Sequence, residues 1–348
     1  MTKRIAINPQ LPVLTFGELM MRLTPPNGRR LEQTQNFEVW FGGAEANVAV
    51  SLAFQGDRSA LVSVLPPNRI GDCAARYLTS YGVDISRMLR MGDRLGIYFF
   101  ENGASARPNG CVYDRKYSAF SLAPHTAYDW EKLLRGVGCF YFSGVTPAVS
   151  DETAAACREA LEVCRRSGIP TVCDLNYRSK LWSREKATAV MSGLLPMVDI
   201  CFAHDEDAPA SLGLPDRSLA DGLDNADGFV ETAREIIAKF GCRQVATVLR
   251  NICHVEHSQW QGMLLTDDAG PFFSPVHEVH VLEGVGGGDS FSAGFIHALA
   301  AGFEPQGIID YAIAASVLKL TVRGDANLVS PGEIAQVAVA AGGRRVSR

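Results

Sequence analysis

The chain has 348 residues, 47% of them hydrophobic, with 33 basic against 38 acidic side chains and a net charge of −5. That is material for one large α/β core or two smaller ones, and it excludes a disordered or collagen-like chain. The acidic balance argues against a nucleic-acid partner, which needs a basic face.

No run of 18 apolar residues offers a membrane span. The start, Met1-Thr2-Lys3-Arg4-Ile5, is basic, but Pro9 and Pro12 interrupt any apolar stretch behind it, so no secretory signal is expected. Nine cysteines form neither a C-x-x-C pair nor a zinc-like spacing. Reduced thiols and a cytoplasmic location are the expectation.

In chain order, residues 13–20 read as a buried strand, and 37–41 as a short strand running into Gly42-Gly43. Residues 59–65 form a third strand candidate, followed by a helix over about 70–81. Residues 96–101 and 111–117 read as paired strands, joined through the turn signals Asn102-Gly103 and Pro108-Asn109-Gly110. Beyond residue 138 the pattern alternates. Strands are expected at 139–143, 171–174, 199–203 and 244–249. Between them lie helices over about 150–168, 185–195 and 229–240. Ser150 caps the first of these, and Gly168 and Pro170 end it. Residues 213–228 carry no period and read as a surface insertion. Phe291, Phe295 and Leu299 recur at helical spacing before Gly302, and another helix covers 312–320. Strand and helix joined by short links predict a mainly parallel sheet covered on both faces. The whole chain, 1–348, reads as one three-layer α/β/α domain, with a small β appendage from about 36–42 and 94–118. Ligands in such folds lie at the carboxyl ends of the parallel strands.

Four constellations carry chemistry. In Val285-Gly286-Gly287-Gly288-Asp289-Ser290-Phe291, three glycines open a helix and leave amide donors uncovered, a site for an anion. A carboxylate there is a poor anion ligand but a suitable base for a hydroxyl that attacks phosphorus. The plain alternative is a Gly-rich turn capped by Asp289. Gly42-Gly43-Ala44-Glu45-Ala46-Asn47 offers close backbone approach and an amide, as a polyol ligand would need, or simply a tight turn. Asp174-Leu175-Asn176-Tyr177-Arg178 leaves a strand with carboxylate, amide and guanidinium at alternate positions. Arg178 suits a carboxylate or phosphate, or else pairs with Asp174 on the surface. Tyr98 and Tyr113-Asp114-Arg115 put aromatic rings and a guanidinium on the appendage, as a lid over an anionic ligand or as a half-exposed sheet face. Gly324-Asp325-Ala326-Asn327 reads by pattern as a helix stop with Asx chemistry.

Taken together, these motifs resemble the ribokinase-type (PfkB) carbohydrate kinases over nearly the whole chain. Gly42-Gly43 with Asn47 is similar to the family's N-terminal signature, and Gly286-Gly287-Gly288-Asp289 to its C-terminal G-A-G-D. Within the family the chain is similar to kinases of 2-keto-3-deoxygluconate, through Arg107-Pro108, Tyr113-Asp114-Arg115, Asp174-x-Asn176-x-Arg178 with Leu181-Trp182, and Gly324-Asp325-x-Asn327. The resemblance implies a ribokinase-like fold with a small β-sheet lid. It also implies ATP-dependent phosphorylation of a primary hydroxyl on a sugar acid. Asp289 is then the base, beside Gly286, Gly287 and Gly288. The sugar acid meets Gly43, Asn47, Tyr98, Tyr113, Arg115, Arg178 and Asp325, and the nucleotide meets Asn176, Arg178, Asp207, Arg250, Gly286 and Gly288. Magnesium accompanies the nucleotide, held by phosphates and water and not by a protein cage. A homodimer or larger assembly through the lid is implied as well.

The chain departs from the family pattern at three places. His204-Asp205-Glu206-Asp207 stands where Asn-Glu-x-Glu is usual, Glu283 where Asp is usual, and Gly287 where Ala is common. The first bears on magnesium and phosphate handling, the second on loop geometry near the anion site. A kinase of a neutral sugar and a sugar-acid-binding protein of weak activity are the alternatives. A dinucleotide-binding dehydrogenase is the least favoured reading, because Gly42-Gly43 lacks G-x-G-x-x-G spacing.

Overall fold

The computed structural model describes residues 5–339. The basic Met1-Thr2-Lys3-Arg4 start lies outside the described residues. In chain order the strands are β1 (Val13–Phe16), β2 (Met20–Thr24), β3 (Glu38–Gly42), β4 (Ser59–Val62), β5 (Val64–Leu65), β6 (Leu89–Arg90), β7 (Gly96–Glu101) and β8 (Gly110–Asp114). There follow β9 (Cys139–Ser143), β10 (Thr171–Asp174), β11 (Ile200–Phe202), β12 (Gln244–His254), β13 (His257–Thr266), β14 (Phe272–Phe273) and β15 (His277–His280).

The main sheet runs β14-β13-β12-β11-β10-β9-β1-β4, with β15 also on β13. From β4 to β12 every pairing is parallel. Strands such as Cys139–Ser143 and Thr171–Asp174 are buried along their whole length, as strands covered on both faces must be. One apolar cluster packs helices Asp151–Ser167, Arg184–Leu194 and Ala226–Phe240 on one face. A second packs helices Ala44–Phe54, Gly287–Ala300 and Pro305–Lys319 on the other. Helix Asp151–Ser167 shows why the boundaries fall where they do. The Ser150 hydroxyl accepts from the Thr153 amide, acidic residues open the first turn and arginines close the last, and Gly168 ends it at φ 66°. Among the described residues no helix is long and apolar enough to cross a membrane.

Four sequence expectations change. The strand expected at 59–65 is two: β4 ends at Val62 in the main sheet, and β5 pairs with β6 in a separate two-stranded sheet. The strand expected at 13–20 is two: β1 ends at Phe16, and Met20 begins β2, an inner strand of a separate four-stranded sheet ordered β3-β2-β7-β8. The break falls at Gly17, where a side chain would run into the Glu45 carboxylate. Apolar residues on both sides of the short Gly17-Glu18 break hid it, since each side is buried in a different core. The strand expected at 244–249 continues to His254 and folds back as β13, adding an antiparallel flank to the parallel sheet. Finally, residues 213–228 lie mostly at the surface as expected but are anchored to the core at a few points. Leu219 and Gly222 are buried, and the Asn251 side-chain oxygen accepts from the Leu223 amide at 3.0 Å.

Candidate active site

The loops after β1 and β10 reach the four-stranded lid and its flank, through Glu18 to Arg115 and Lys180 to Cys111, and the end of β9 meets Glu45. Gly286 adopts φ 78° and serves as N-cap of helix Gly287–Ala300 with no side chain capping it. Its carbonyl accepts from the Ser290 amide at 2.9 Å, which leaves the preceding amides as free donors. Nothing stands within 4 Å of where a Gly288 side chain would point, so that side of the turn is open. Asp289 sits in the first helical turn. It does not cap the helix; its Oδ2 accepts from the Asn47 side-chain amide at 2.7 Å. Burial pushes the Asp289 carboxyl up to about 6, partly offset by the Asn47 hydrogen bond and the Arg178 charge.

Asn47 is positioned by the glycine pair before it. A side chain at Gly43 would collide with the Glu18 carbonyl, and one at Gly42 with the Asp325 carboxylate. Helix Ala44–Phe54 therefore starts directly against the loops carrying Glu18 and Asp325. The Gly43 amide donates to Asn47 Oδ1 at 3.4 Å, fixing which end of the amide faces Asp289.

At the end of β10, the Asp174 carboxyl accepts from the Asn176 amide at 3.1 Å, and Asp207 accepts from the Tyr177 amide at 2.9 Å. Burial raises both carboxyls. Asp174 is raised further by Asp207 and Asp289, while Asp207 is pushed up to about 6. Asn176 holds a left-handed φ of 37°, unusual for a side-chain-bearing residue, and its buried Oδ1 has no partner. Arg178 is exposed. Its charge acts on Asp174, Asp207 and Asp289, yet its guanidinium donates only to the Tyr177 carbonyl, at 3.4 Å, and not to Asp174.

The remaining expected residues are engaged with the chain itself. Tyr98 donates from its hydroxyl to Asp325 Oδ1, and its ring stacks on Tyr113 with centroids 5.9 Å apart. Arg115 binds Glu18, with Nε 2.9 Å from Oε2, and Ser118 donates to the other carboxylate oxygen at 2.5 Å. Arg250 pairs with Asp205 and lies 5.5 Å from the Trp260 ring. The substituted His204 is neutral. Burial holds its imidazole at about 3, and its Nδ1 accepts from the Val248 amide at 3.1 Å.

Sequence reading missed a buried charge network behind the turn. Arg22, fully buried on β2, donates to Thr24 at 2.7 Å, to Asp325 at 3.0 Å and to Glu283. Lys319 is fully buried beside them. The alternation Met20-x-Arg22-x-Thr24, all on one strand face, was the available signal for Arg22. Glu45, equally buried, accepts from the Ser143 amide and hydroxyl at 2.8 and 2.7 Å and from Thr146 at 2.8 Å, tying helix Ala44–Phe54 to the end of β9.

A carboxylate beside open amide donors, with Arg178 free of carboxylate partners among the described residues, is an arrangement for moving an anionic group onto a hydroxyl. Residues 11–331 match the pfkB family of carbohydrate kinases. The chain belongs to that family. The kinase is 33% identical to the 2-dehydro-3-deoxygalactonokinase of Haloferax volcanii over 330 residues, covering 93% of this chain and 96% of that one. It is 26% identical to the 2-dehydro-3-deoxygluconokinase of Thermoproteus tenax, covering 93% of each. The crystal structure of the 2-dehydro-3-deoxygluconokinase of Thermotoga maritima superposes with a TM-score of 0.91 at 39% identity, covering 97% of this kinase and 100% of that chain.

Proposed function

We propose that this kinase transfers the terminal phosphoryl group of ATP to the primary hydroxyl of 2-keto-3-deoxygluconate, with Asp289 as the general base. The observation that carries the reading is Asp289, held by Asn47 beside the uncapped helix start at Gly286. The hydroxyl oxygen of the sugar acid attacks the γ-phosphorus while its proton passes to the Asp289 carboxylate. The bond from phosphorus to the bridging oxygen breaks, and ADP leaves. The Gly286, Gly287 and Gly288 amides receive the phosphoryl oxygens. A carboxyl raised to about 6 is ionised at neutral pH yet basic enough to accept the proton in flight.

Gly43, Asn47, Tyr98, Tyr113, Arg115 and Asp325 line the side toward the lid and form the proposed sugar-acid site. Asn176, Asp207 and Arg250 border the nucleotide side, and Arg178 stands between the two. Magnesium fits the donors present: Asp174 and Asp207, both raised by burial, and the unpartnered Asn176 oxygen would hold it through water. When bound it neutralises phosphate charge. Among the described residues no three acidic, His or Cys side chains converge on a common point for a metal.

A second reading, the galacto epimer of the substrate, is favoured by the Haloferax relative. An ADP-release assay across 2-keto-3-deoxygluconate, its galacto epimer, aldonates and neutral hexoses tests the reading. Turnover confined to a neutral sugar would overturn it. The whole chain acts as one kinase domain in this reading, in the cytoplasm where ATP is made. We also read the lid as a dimer surface. Leu23, Val39, Phe99 and Val112 stand in register across all four lid strands, and Val39 and Val112 are each 55% exposed. Light scattering at micromolar protein is expected to give a dimer, and Val39→Asp with Val112→Asp a monomer. A monomeric unmodified enzyme would refute that part.

A further inference from the structure

Lys319 is the last residue of helix Pro305–Lys319, and its side chain is fully buried. Burying an ammonium costs several kcal/mol unless something compensates, and a methionine of similar length would pack there without that cost. Among the described residues its one hydrogen bond runs from Nζ to the Val322 carbonyl at 3.0 Å. The charged groups acting on it are Glu283 on the loop before the turn, Asp325 on the loop after its own helix, Arg22 on the lid, and Asp289.

Three residues on one face of this helix end support the Gly286–Gly288 turn. Ser316 donates to the Gly287 carbonyl at 2.9 Å. Leu320 lies 3.2 Å from where a Gly287 side chain would begin, and its carbonyl accepts from the Leu282 and Glu283 amides at 2.8 and 3.1 Å. Lys319 Cε lies 3.3 Å from where a side chain at Gly286 would begin. One side of the turn, at Gly286, is thus filled by the Asp325 backbone carbonyl and Lys319 together, while the Gly288 side is open.

We propose that Lys319 is a positioning residue for phosphoryl transfer: its buried ammonium holds the Gly286–Gly288 turn from behind and adds fixed positive charge to the amides that meet the transferring group. The proposal rests on the turn being the phosphoryl site. Charge of this kind, preorganised in a dry place, acts on the transition state more than on the bound ground state.

The test uses the full chain with Lys319→Met, Lys319→Gln and Lys319→Arg, measuring kcat and KM with whichever sugar the unmodified enzyme turns over. Affinities for ADP alone and for ADP with aluminium fluoride, a mimic of the transferring phosphoryl group, are measured alongside. Lys319→Met is expected to lower kcat by about 10–100-fold, less than the loss of a direct oxyanion donor, with KM for the sugar within about 3-fold. Affinity for ADP–aluminium fluoride falls in parallel with kcat, affinity for ADP alone does not, and Lys319→Arg recovers part of the loss. Unchanged kcat in Lys319→Met overturns the proposal, as does an equal loss of both affinities. If Lys319→Met does not fold, Lys319→Gln, which keeps a donor for Val322, is read in its place. If neither charge-free variant folds, the ammonium serves the fold and the proposal falls. An unmodified enzyme inactive on every keto-deoxy acid would instead reject the substrate reading and leave this comparison to be made on the sugar that is used.

Discussion

Asp289→Asn separates catalysis from stability with opposite signs. The folded carboxyl sits at about 6 against an ordinary value of 3.8, because burial disfavours its charge. A carboxyl raised in this way contributes stability that is complete below pH 3.8 and is lost as pH rises through about 6. The displacement, about two pH units, corresponds to roughly 3 kcal/mol at most. Asp289 keeps some contact with solvent, so screening reduces this to about 1–2 kcal/mol. Asparagine never ionises, and its oxygen can still accept from Asn47. The variant is therefore expected to be more stable than the unmodified enzyme by about 1–2 kcal/mol at pH 7.5, with the difference shrinking toward pH 4. Urea unfolding of both proteins at pH 4.5 and 7.5 reads this directly. Turnover in the same variant should fall by about 10²–10⁴-fold, and kcat of the unmodified enzyme should decline below about pH 6 as the base protonates. A stability difference that does not vary with pH would refute the buried-charge argument. Activity within tenfold of normal would refute the base.

Other substitutions divide the site by what each side chain already holds. Asn47→Ala removes a hydrogen bond that lowers the Asp289 carboxyl, so the acid limb of the kcat profile should move to higher pH; an unmoved limb would show that the contact is idle in turnover. Arg178→Ala breaks no internal ion pair, so thermal unfolding should hold within about 0.5 kcal/mol while KM for the sugar acid rises about tenfold or more. Unchanged kinetics would remove Arg178 from the site. Arg115→Ala strands the buried Glu18 and should cost about 3–5 kcal/mol in urea unfolding, with Glu18→Gln in the same chain returning part of it. An unshifted unfolding midpoint would mean that the pair carries no stability.

The layered sheet was legible because buried parallel strands and amphipathic helices carry their own periods, and because caps such as Ser150 and Gly168 mark boundaries locally. The Asp289, Gly286 and Asn47 group was legible for the same reason, since each lies in a glycine turn at a helix start. Pairings at long range were not. Nothing local distinguishes Arg115, which spends its charge on Glu18 97 residues away, from Arg178, which does not. The same holds for Arg22, whose partners Glu283 and Asp325 lie 261 and 303 residues downstream. The lid strand Met20–Thr24 was lost because apolar residues lie on both sides of a break of only two residues, Gly17-Glu18, at the close approach of Gly17 to Glu45.

The long-range pairings also assign roles that composition could not. Arg107 rests on Glu101 at 2.7 Å, Arg115 on Glu18, Arg250 on Asp205, and Arg22 on both Glu283 and Asp325. A guanidinium already seated on a carboxylate gains little by exchanging it for a ligand's, because the abandoned carboxylate is left desolvated and unpaired. Arg178 has no such debt. Its charge already acts on the three raised carboxyls Asp174, Asp207 and Asp289, and an arriving anion meets it unpaired. We propose that the engaged arginines act mainly by holding the elements they bridge, and that Arg178 carries recognition of negative charge. On that division, Arg178→Lys keeps a charge but loses the two-pronged geometry, so it should preserve the pH profile set by Asp289 while weakening discrimination between a sugar acid and its neutral analogue. A variant that keeps full preference for the acid would place carboxylate recognition on one of the paired arginines, and the ion pair that holds it would then have to open on binding.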